Sequence, residues 1–505
     1  MRVLVTFLGP AYNAEVARMI GLFLPQATVT FKDGKESLKE HDDFDMLLET
    51  QVTIQELLVV ADVVIVSHDT RYTRTIEASD LDEVKLRKMS KRALLYALHI
   101  CLEKILDKAQ PWGILTGVRP SKLVHQQVRN MGRYVLADES ARLQAEFLLA
   151  PSRADLLVEV AKKELEVVPD LYDLTREVSV YVGIPFCPTH CAYCTFPAYS
   201  MVDKARYAQG FLAAMIQEMK AMGDILREFG VRVTSVYIGG GTPTSLQAAE
   251  LGHMLEAIYR YIPSSGSWRE LSVEAGRADT ITKDRVRVMR SFGVNRISVN
   301  PQSFHDDTLQ RIGRGHRSGI VPQRFTLCRD EGFDNINMDL ILGLPGEDLS
   351  NVIDSVSQTL ALQPDAVTLH TLSYKRTSVV NRERDRFAVA DDDTIKAMMQ
   401  HADREVRHAG FEPYYLYRQK DILANLENIG YSMPGKEGIY NICIIEEAQT
   451  IVGIGGGSAS KWVMPDSRKI TSHQNPREPS AYVATIDQVI AKKEKLLRSV
   501  LKYKA

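Results

Sequence analysis

Three cysteines fall within the run CPTHCAYC, as Cys187, Cys191 and Cys194, spaced C-x3-C-x2-C. Thiolate sulfur suits iron–sulfur clusters, and a short loop with three close cysteines can wrap one cubane. Three ligands leave one iron open to an outside chelator. Zinc is the rival, but a structural zinc site asks for four ligands. His190, beside Cys191, is badly placed to close the same tetrahedron.

A second run, Gly239-Gly240-Gly241-Thr242-Pro243, can bring backbone polar groups close to a ligand. A tight strand-to-helix turn explains it equally well, and no Gly-Lys-Ser/Thr follows to make it a phosphate loop. Polar residues then recur after or within apolar runs: Glu274 in LSVEAG, Gln302 in VNPQSF and Asp339 in INMDLILGLPGE. Singly, such a carboxylate is more often a cap or a paired buried acid. Arg314, in RIGRGH, is either a solvated surface charge or a partner for a ligand carboxylate.

Taken together, these parts fit S-adenosylmethionine. Its amino and carboxylate groups can chelate the open iron. The glycine run can accept from the amino group, Arg314 can hold the carboxylate, and acids or amides can take the ribose hydroxyls. One electron from the cluster then breaks a carbon–sulfur bond, chemistry that belongs to the cofactors while the protein orients them and excludes water.

Such residues need a scaffold that carries them to one edge. From about 179 to 370, short β-branched runs alternate with helical patterns. Strands are predicted at 179–182, 235–238, 271–274, 296–299, 335–340 and 366–370. Helices are predicted between them at 206–229, 245–261, 283–292, 321–331 and 351–362. The alternation implies right-handed crossovers and a parallel sheet curling into a partial (β/α)6 TIM-like barrel. Active sites of such folds collect at the carboxyl ends of the strands, where the cysteines, glycines and polar residues fall.

Before the barrel, 1–170 reads as a separate α/β domain. It opens on the strand-like VLVTF and carries a helix at 91–106, with Leu94, Leu98, Cys101, Leu102 and Ile105 along one face. After it, 376–505 holds a charged helix at 393–409, a Tyr-rich strand at 414–417 and a glycine turn at 453–457. A length of 505 residues suits about three domains.

The composition is that of an ordinary globular protein, 45% apolar and 25% charged. With 62 Lys+Arg against 64 Asp+Glu, nothing marks a general nucleic-acid or membrane-surface binder. The first residues form no signal-like apolar run. The greasiest stretch, 57–66, is about half a membrane span. A cytoplasmic location without stable membrane insertion or nucleic acid is therefore expected. Six cysteines in so long a chain make no disulfide framework. The scattered Cys101, Cys328 and Cys443 read as core side chains.

The runs YVGIPFCPTHCAYC, YIGGGTPT, LSVEA, GVNRISVNPQSF, LQRIGRGH and INMDLILGLPGE, in this order over roughly 180–350, resemble the radical S-adenosylmethionine (radical SAM) superfamily. Within it, they resemble the oxygen-independent coproporphyrinogen III oxidase-like family. PWGILTGVRPSKL, NLENIGYSMPGKEGIYNI and GIGGGSASK resemble its HemZ-type coproporphyrinogen dehydrogenase branch, extending the likeness to most of the chain.

The resemblance implies a 4Fe-4S cluster on Cys187, Cys191 and Cys194. It implies S-adenosylmethionine contacts from Tyr193, Gly240, Gly241, Thr242, Glu274, Gln302, Arg314 and Asp339, with Tyr181 and Arg314 as the catalytic candidates. It makes 171–375 the radical SAM barrel and 376–505 the coproporphyrinogen-oxidase-like region. The implied activity is oxidative decarboxylation of two propionates of coproporphyrinogen III to give protoporphyrinogen IX. A low-potential donor such as flavodoxin or ferredoxin would supply electrons, and Arg119, Lys375, Arg376 and Arg418 are candidate propionate partners. Two departures stand out. Phe196 occupies the place of the fourth cysteine of the well-defined oxidases, and Gly183 that of a usual histidine. A Cys-x-Phe ending also occurs in related proteins that carry haem or act on it, so a haem chaperone and another radical reaction on a tetrapyrrole are the alternative readings.

Overall fold

The computed structural model describes residues 1–33, 44–78, 82–464 and 469–502. The chain forms two compact units. One comprises Met1–Pro120 with Gln126–Val158, the other Ser121–His125 with Glu159–Ala505.

In the first unit, strands β1 (Arg2–Leu8), β2 (Thr28–Asp33), β3 (Met46–Gln55), β4 (Leu58–Ile65) and β5 (Thr70–Glu77) form one sheet in the order β2-β1-β3-β4-β5. β1 runs parallel to β2 and β3, and β3, β4 and β5 form an antiparallel meander. Alternate residues of β4 are buried, the period of a half-buried strand. The predicted helix begins earlier than expected, as Glu83–Leu106. Asp82 caps it by accepting from the Lys85 N–H, and Leu94, Leu98, Cys101 and Leu102 are buried along it.

The second unit is built on an eleven-stranded sheet. Its centre is β6 (Val178–Ile184), β9 (Val233–Gly240), β10 (Glu270–Val273), β11 (Arg296–Ser298), β12 (Ile336–Leu342) and β13 (Ala366–Thr371). Consecutive members pair in parallel. Between β6 and β9 lie a two-residue pair, β7 (Phe186–Cys187) with β8 (Tyr199–Ser200), and the helix Met201–Glu228. The further crossovers carry the helices Ala248–Tyr261, Lys283–Ser291, Ile320–Asp330 and Leu349–Ala361. β6 and β9 are buried along almost their whole length, as strands covered on both faces must be. Their valines and isoleucines pack with Met215, Met219, Leu251, Met254 and Leu255 from the helices in one apolar core.

This is the predicted mixed α/β partial barrel, with two differences. The parallel run has seven strands, because β16 (Thr450–Gly455) pairs in parallel with the free edge of β6. The expected third region, 376–505, forms no unit of its own. Its strands β14 (Glu412–Tyr417) and β15 (Asn428–Ser432) extend the sheet antiparallel beyond β13. β17 (Ala459–Val463) and β18 (Ile470–Gln474) extend it beyond β16. Sheet edges offer unpaired backbone groups, and these late segments pair with both edges of the parallel run.

Among the described residues, no helix is long and apolar enough to cross a membrane.

Candidate active site

Each of Tyr181, Cys187, Cys191, Tyr193, Cys194, Gly240, Gly241, Thr242, Glu274, Gln302, Arg314 and Asp339 lines one cavity of about 800 Å³ in the second unit. The strands explain the convergence: β6, β9, β10 and β11 end beside one another, and the next residues of each carry the polar groups.

The glycine run locks the cysteine loop to β9. The Gly241 N–H donates to Ile184 O and the Thr242 N–H to Phe186 O, both at 2.7 Å, while the Thr242 hydroxyl lies 3.2 Å from Cys187 Sγ. The Gly240 N–H is also spent, on Glu274 Oε2 at 3.2 Å. The run therefore has carbonyls, not N–H groups, left to offer a ligand, which suits a cationic amino group. It also leaves no room for side chains. A Cβ on Gly241 would stand 2.5 Å from Phe186 O, and Gly240 has φ +107°. Gly241→Ala is expected to push the Cys187 loop outward. It should cost about 1–3 kcal/mol of stability, as overpacking does, and lower the iron retained per chain. Denaturant unfolding and iron analysis check this.

The three thiols are buried or nearly so. Burial pushes Cys187 up to about 11, with the neighbouring Cys194 and Cys191 adding to the shift, and raises Cys194 as well. Three clustered thiolates thus need a bound cation. His190 is exposed and does not line the cavity. Three thiols with no fourth ligand at hand among the described residues suit a cluster with one open iron better than a structural zinc, which asks for four.

Arg314 is only 9% exposed. It donates to Gly276 O at 2.7 Å and Asn300 O at 2.6 Å through Nη2, and to Tyr193 Oη at 3.2 Å through Nη1, which also lies 4.0 Å from Cys191 Sγ. Its Nε–H is buried without a hydrogen-bond partner among the described residues. That leaves a cationic donor beside the cysteines, fit for the carboxylate of S-adenosylmethionine. Arg277, which sequence reasoning missed, lies 3.9 Å from the same sulfur and is held by Asp279 at 3.0 and 2.8 Å.

The two acids have different neighbours. The Tyr237 hydroxyl donates to Glu274 Oε1 at 2.6 Å. Burial nevertheless raises Glu274 to about 7, and the charge of Asp339 adds to it. Burial acts on Asp339 in the same sense, but His370 at 3.6 Å and the Asn337 amide at 2.7 Å hold it below its ordinary value. The Asn300 amide donates to its other oxygen at 2.7 Å. Gln302 sits opposite at φ +67°, pinned to β12 because its N–H donates to Asp339 O and its carbonyl accepts from the Ile341 N–H. A non-glycine residue held there stores strain that the surrounding pairing must support.

Tyr181 is part of a stack that sequence reasoning did not reveal. Tyr237 and Tyr440 lie 4.4 Å apart and 18° from parallel, with Tyr181 6.2 Å from each. Tyr440 comes from the helix Ile439–Glu446. Only its place in the run EGIYNI, far along the chain, marked it.

Of the four candidate propionate partners, Lys375 lines the cavity. Arg119 belongs to the first unit. Arg376 is exposed and outside the lining. Arg418 is buried and donates to Leu426 O at 3.2 Å and to Asn425. Sequence reasoning missed Lys461 and Arg477, which do line the cavity and come from β17 and the segment after β18. Phe196, in the fourth-cysteine position, lines it too and is 54% exposed. Gly183 faces the turn after β16. A Cβ there would stand 3.2 Å from Ser458 Cβ and 3.3 Å from Gly456 O, so the turn fills the space a histidine would take.

Comparison with known proteins agrees with this geometry. The family described as the Radical SAM superfamily matches residues 181–358. The chain is 41% identical to the oxygen-independent coproporphyrinogen-III oxidase-like protein HemZ of Bacillus subtilis (strain 168), over 92% of each chain. It is 34% identical to the heme chaperone HemW of the same organism, over 38% of this chain and 50% of that one. In fold it is similar to coproporphyrinogen III oxidase (HemN) from Escherichia coli, with a TM-score of 0.52 and 20% identity over 65% of this chain and 72% of that one.

Proposed function

We propose, for a chain that belongs to the radical SAM superfamily and to the oxygen-independent coproporphyrinogen-III oxidase-like proteins within it, that it decarboxylates two propionates of coproporphyrinogen III to the vinyl groups of protoporphyrinogen IX. The observation that carries this reading is the single cavity of about 800 Å³. It has room in the upper part of the range for ligand sites. It brings the three thiols, the unpartnered Arg314 Nε–H and the acids together with three cationic side chains, Lys375, Lys461 and Arg477.

Cys187, Cys191 and Cys194 hold the 4Fe-4S cluster. Arg314 takes the carboxylate of S-adenosylmethionine, the Gly240 and Gly241 carbonyls its amino group, and Glu274, Gln302 and Asp339 its hydroxyls. Thr242 positions Cys187 through its hydroxyl, and Tyr193 positions Arg314 by accepting from its Nη1. When bound, these cofactors supply a 5′-deoxyadenosyl radical that accepts a hydrogen atom from the substrate. Tyr181, in its stack with Tyr237 and Tyr440, forms an apolar wall that keeps water from the reacting carbon. The lysines and Arg477 hold propionate carboxylates until carbon dioxide leaves. A cytoplasmic flavodoxin or ferredoxin supplies the reducing electron, and an external acceptor takes the one released by the substrate.

The acid pair gives a pH signature. A ligand hydroxyl donates to a carboxylate better than to a carboxylic acid, so binding selects ionised Glu274. With Glu274 at about 7 in the free site, affinity for S-adenosylmethionine should rise as pH rises toward 7, by up to about tenfold per unit, and flatten above it. Glu274→Gln should abolish the slope. Calorimetric titration at pH 6 to 8 checks both.

Phe196 favours a second reading, haem binding without decarboxylation, which the name of the HemW relative also suggests. An anaerobic assay separates the two. Cluster-reconstituted protein receives S-adenosylmethionine, a reductant and coproporphyrinogen III, and products are followed by mass spectrometry. Loss of two carbon dioxide masses matched to 5′-deoxyadenosine is the expected outcome. An intact cluster with unchanged substrate would sink the proposal, and haem titration of the same sample would then test the second reading.

A further inference from the structure

Outside the cavity, three ionisable side chains meet in the interior of the second unit. His125 is on the helix Ser121–Met131, Glu164 on Pro151–Val167, and Glu446 ends Ile439–Glu446. Their side chains are 1%, 0% and 3% exposed. His125 Nε2 lies 2.6 Å from Glu164 Oε2 and 3.7 Å from Glu446 Oε2. Among the described residues this is the one trio of potential ligands whose donor atoms all lie within 4.8 Å of one another.

Two observations ask for an occupant. Glu164 Oε1 and Glu446 Oε2 are buried with no hydrogen-bond partner among the described residues, a costly state for a carboxylate. The other side of the imidazole is engaged, with Nδ1 2.9 Å from the Tyr172 hydroxyl. When Nδ1–H donates to that oxygen, Nε2 presents a lone pair to the carboxylate of Glu164, and two acceptors at 2.6 Å need a positive centre between them. A proton bridges one such pair and leaves Glu446 Oε2 without a partner among the described residues. A divalent cation neutralises both carboxylates at once, so the buried group carries no net charge.

We propose that His125, Glu164 and Glu446 form a binding site for a divalent transition-metal ion of the zinc class. One imidazole and two carboxylates suit zinc, ferrous iron or manganese. Around zinc with bonds of about 2.0–2.1 Å, tetrahedral ligand atoms stand about 3.3 Å apart, which the observed 2.6 and 3.7 Å bracket. Tyr172 orients the imidazole, and Ser121 does the same for Glu446 by donating to its Oε1, the outer contacts that metal ligands require. The ion fastens the end of the helix whose first turn carries Tyr440, so its role is structural support of the cavity wall.

The test uses the holoprotein with its cluster assembled, so that the cluster cysteines are taken, after washing with a chelator and incubation with zinc chloride. Elemental analysis should find about one zinc per chain beyond the cluster, and His125→Ala should weaken retention by more than about 100-fold. Zinc K-edge absorption on the wild-type protein should show nitrogen and oxygen neighbours without sulfur, which decides the matter even if the variant misfolds. No retained zinc in the wild type, equal retention in a folded His125→Ala protein, or a sulfur shell would each overturn the assignment.

Discussion

Replacing Cys191 with alanine is expected to abolish cluster assembly and reduce 5′-deoxyadenosine formation to the level of a protein-free control. Three thiols face the cavity with no fourth cysteine beside them, so losing one leaves two thiolates for a whole cubane. Cys191 is also the sulfur nearest both arginines, 3.9 Å from Arg277 Nη1 and 4.0 Å from Arg314 Nη1. Its loss leaves those cations facing an uncharged methyl. The fold should persist, because Cys191 lies in the short loop between β7 and β8 and outside the barrel's apolar core. Cys443→Ala is the control. That thiol is buried and does not line the cavity, so it has no part in the cluster. Iron analysis, the electron spin signal of the reduced cluster and chromatography of 5′-deoxyadenosine measure the difference. A Cys191→Ala protein with full iron and undiminished 5′-deoxyadenosine would place the cluster elsewhere.

The barrel was legible because its physics is local. Buried parallel strands read as continuous apolar runs, and all six predicted segments lie within or beside β6 and β9 to β13. Glu274 and Gln302 follow β10 and β11, and Asp339 lies within the neighbouring β12, so the order of parallel strands alone brings the three to one side of the sheet. Long-range pairing was not legible. β16 joins β6 across more than two hundred intervening residues, and nothing local in TIVGIG distinguishes a seventh parallel strand from an isolated one. Tyr440, Lys461 and Arg477 reach the cavity through that late pairing or a late helix; the first two fall in family-like runs that say nothing of a cavity, and no run marks Arg477. Arg119 and Arg418 show the converse. A basic residue can as easily serve the fold, as Arg418 does by donating to the Leu426 carbonyl. The β3–β5 meander was missed although β4 alternates in burial, because VVADVV presents apolar residues to both faces.

Glu218→Ala should be the most destabilising single change outside the cysteine loop, by about 3–5 kcal/mol in denaturant unfolding. Glu218, on the helix Met201–Glu228, is fully buried, as is its partner Lys493 at 2.5 Å on the helix Ile486–Leu501. The Tyr482 hydroxyl donates to the same carboxylate at 2.5 Å, the Asn475 amide at 2.9 Å and the Gly455 N–H at 2.8 Å. Lys493 also donates to Gly453 O. Alanine at 218 therefore leaves a buried ammonium without its counter-charge and strands the Tyr482 and Gly455 donors, while the Asn475 amide keeps Gly455 O and Ser458 Oγ. It is this unpaired charge, more than the lost contact, that sets the magnitude. Lys493→Met should cost less, because Glu218 keeps three donors. Glu218→Gln with Lys493→Met should cost less than the sum of the single changes, since it removes both charges and keeps an acceptor for Tyr482 and Gly455. The effect should reach the cavity. Gly453 and Gly455 lie on β16, which pairs with β6, and a Cβ on Gly457, at the following turn, would stand 2.5 Å from Pro197 beside the cysteine loop. Loosening β16 removes the surface against which that loop is packed, so the single variant should lose iron on mild heating before it loses helix. Loss of both in one transition, followed by circular dichroism and iron release, would show that β16 and the barrel unfold as one unit.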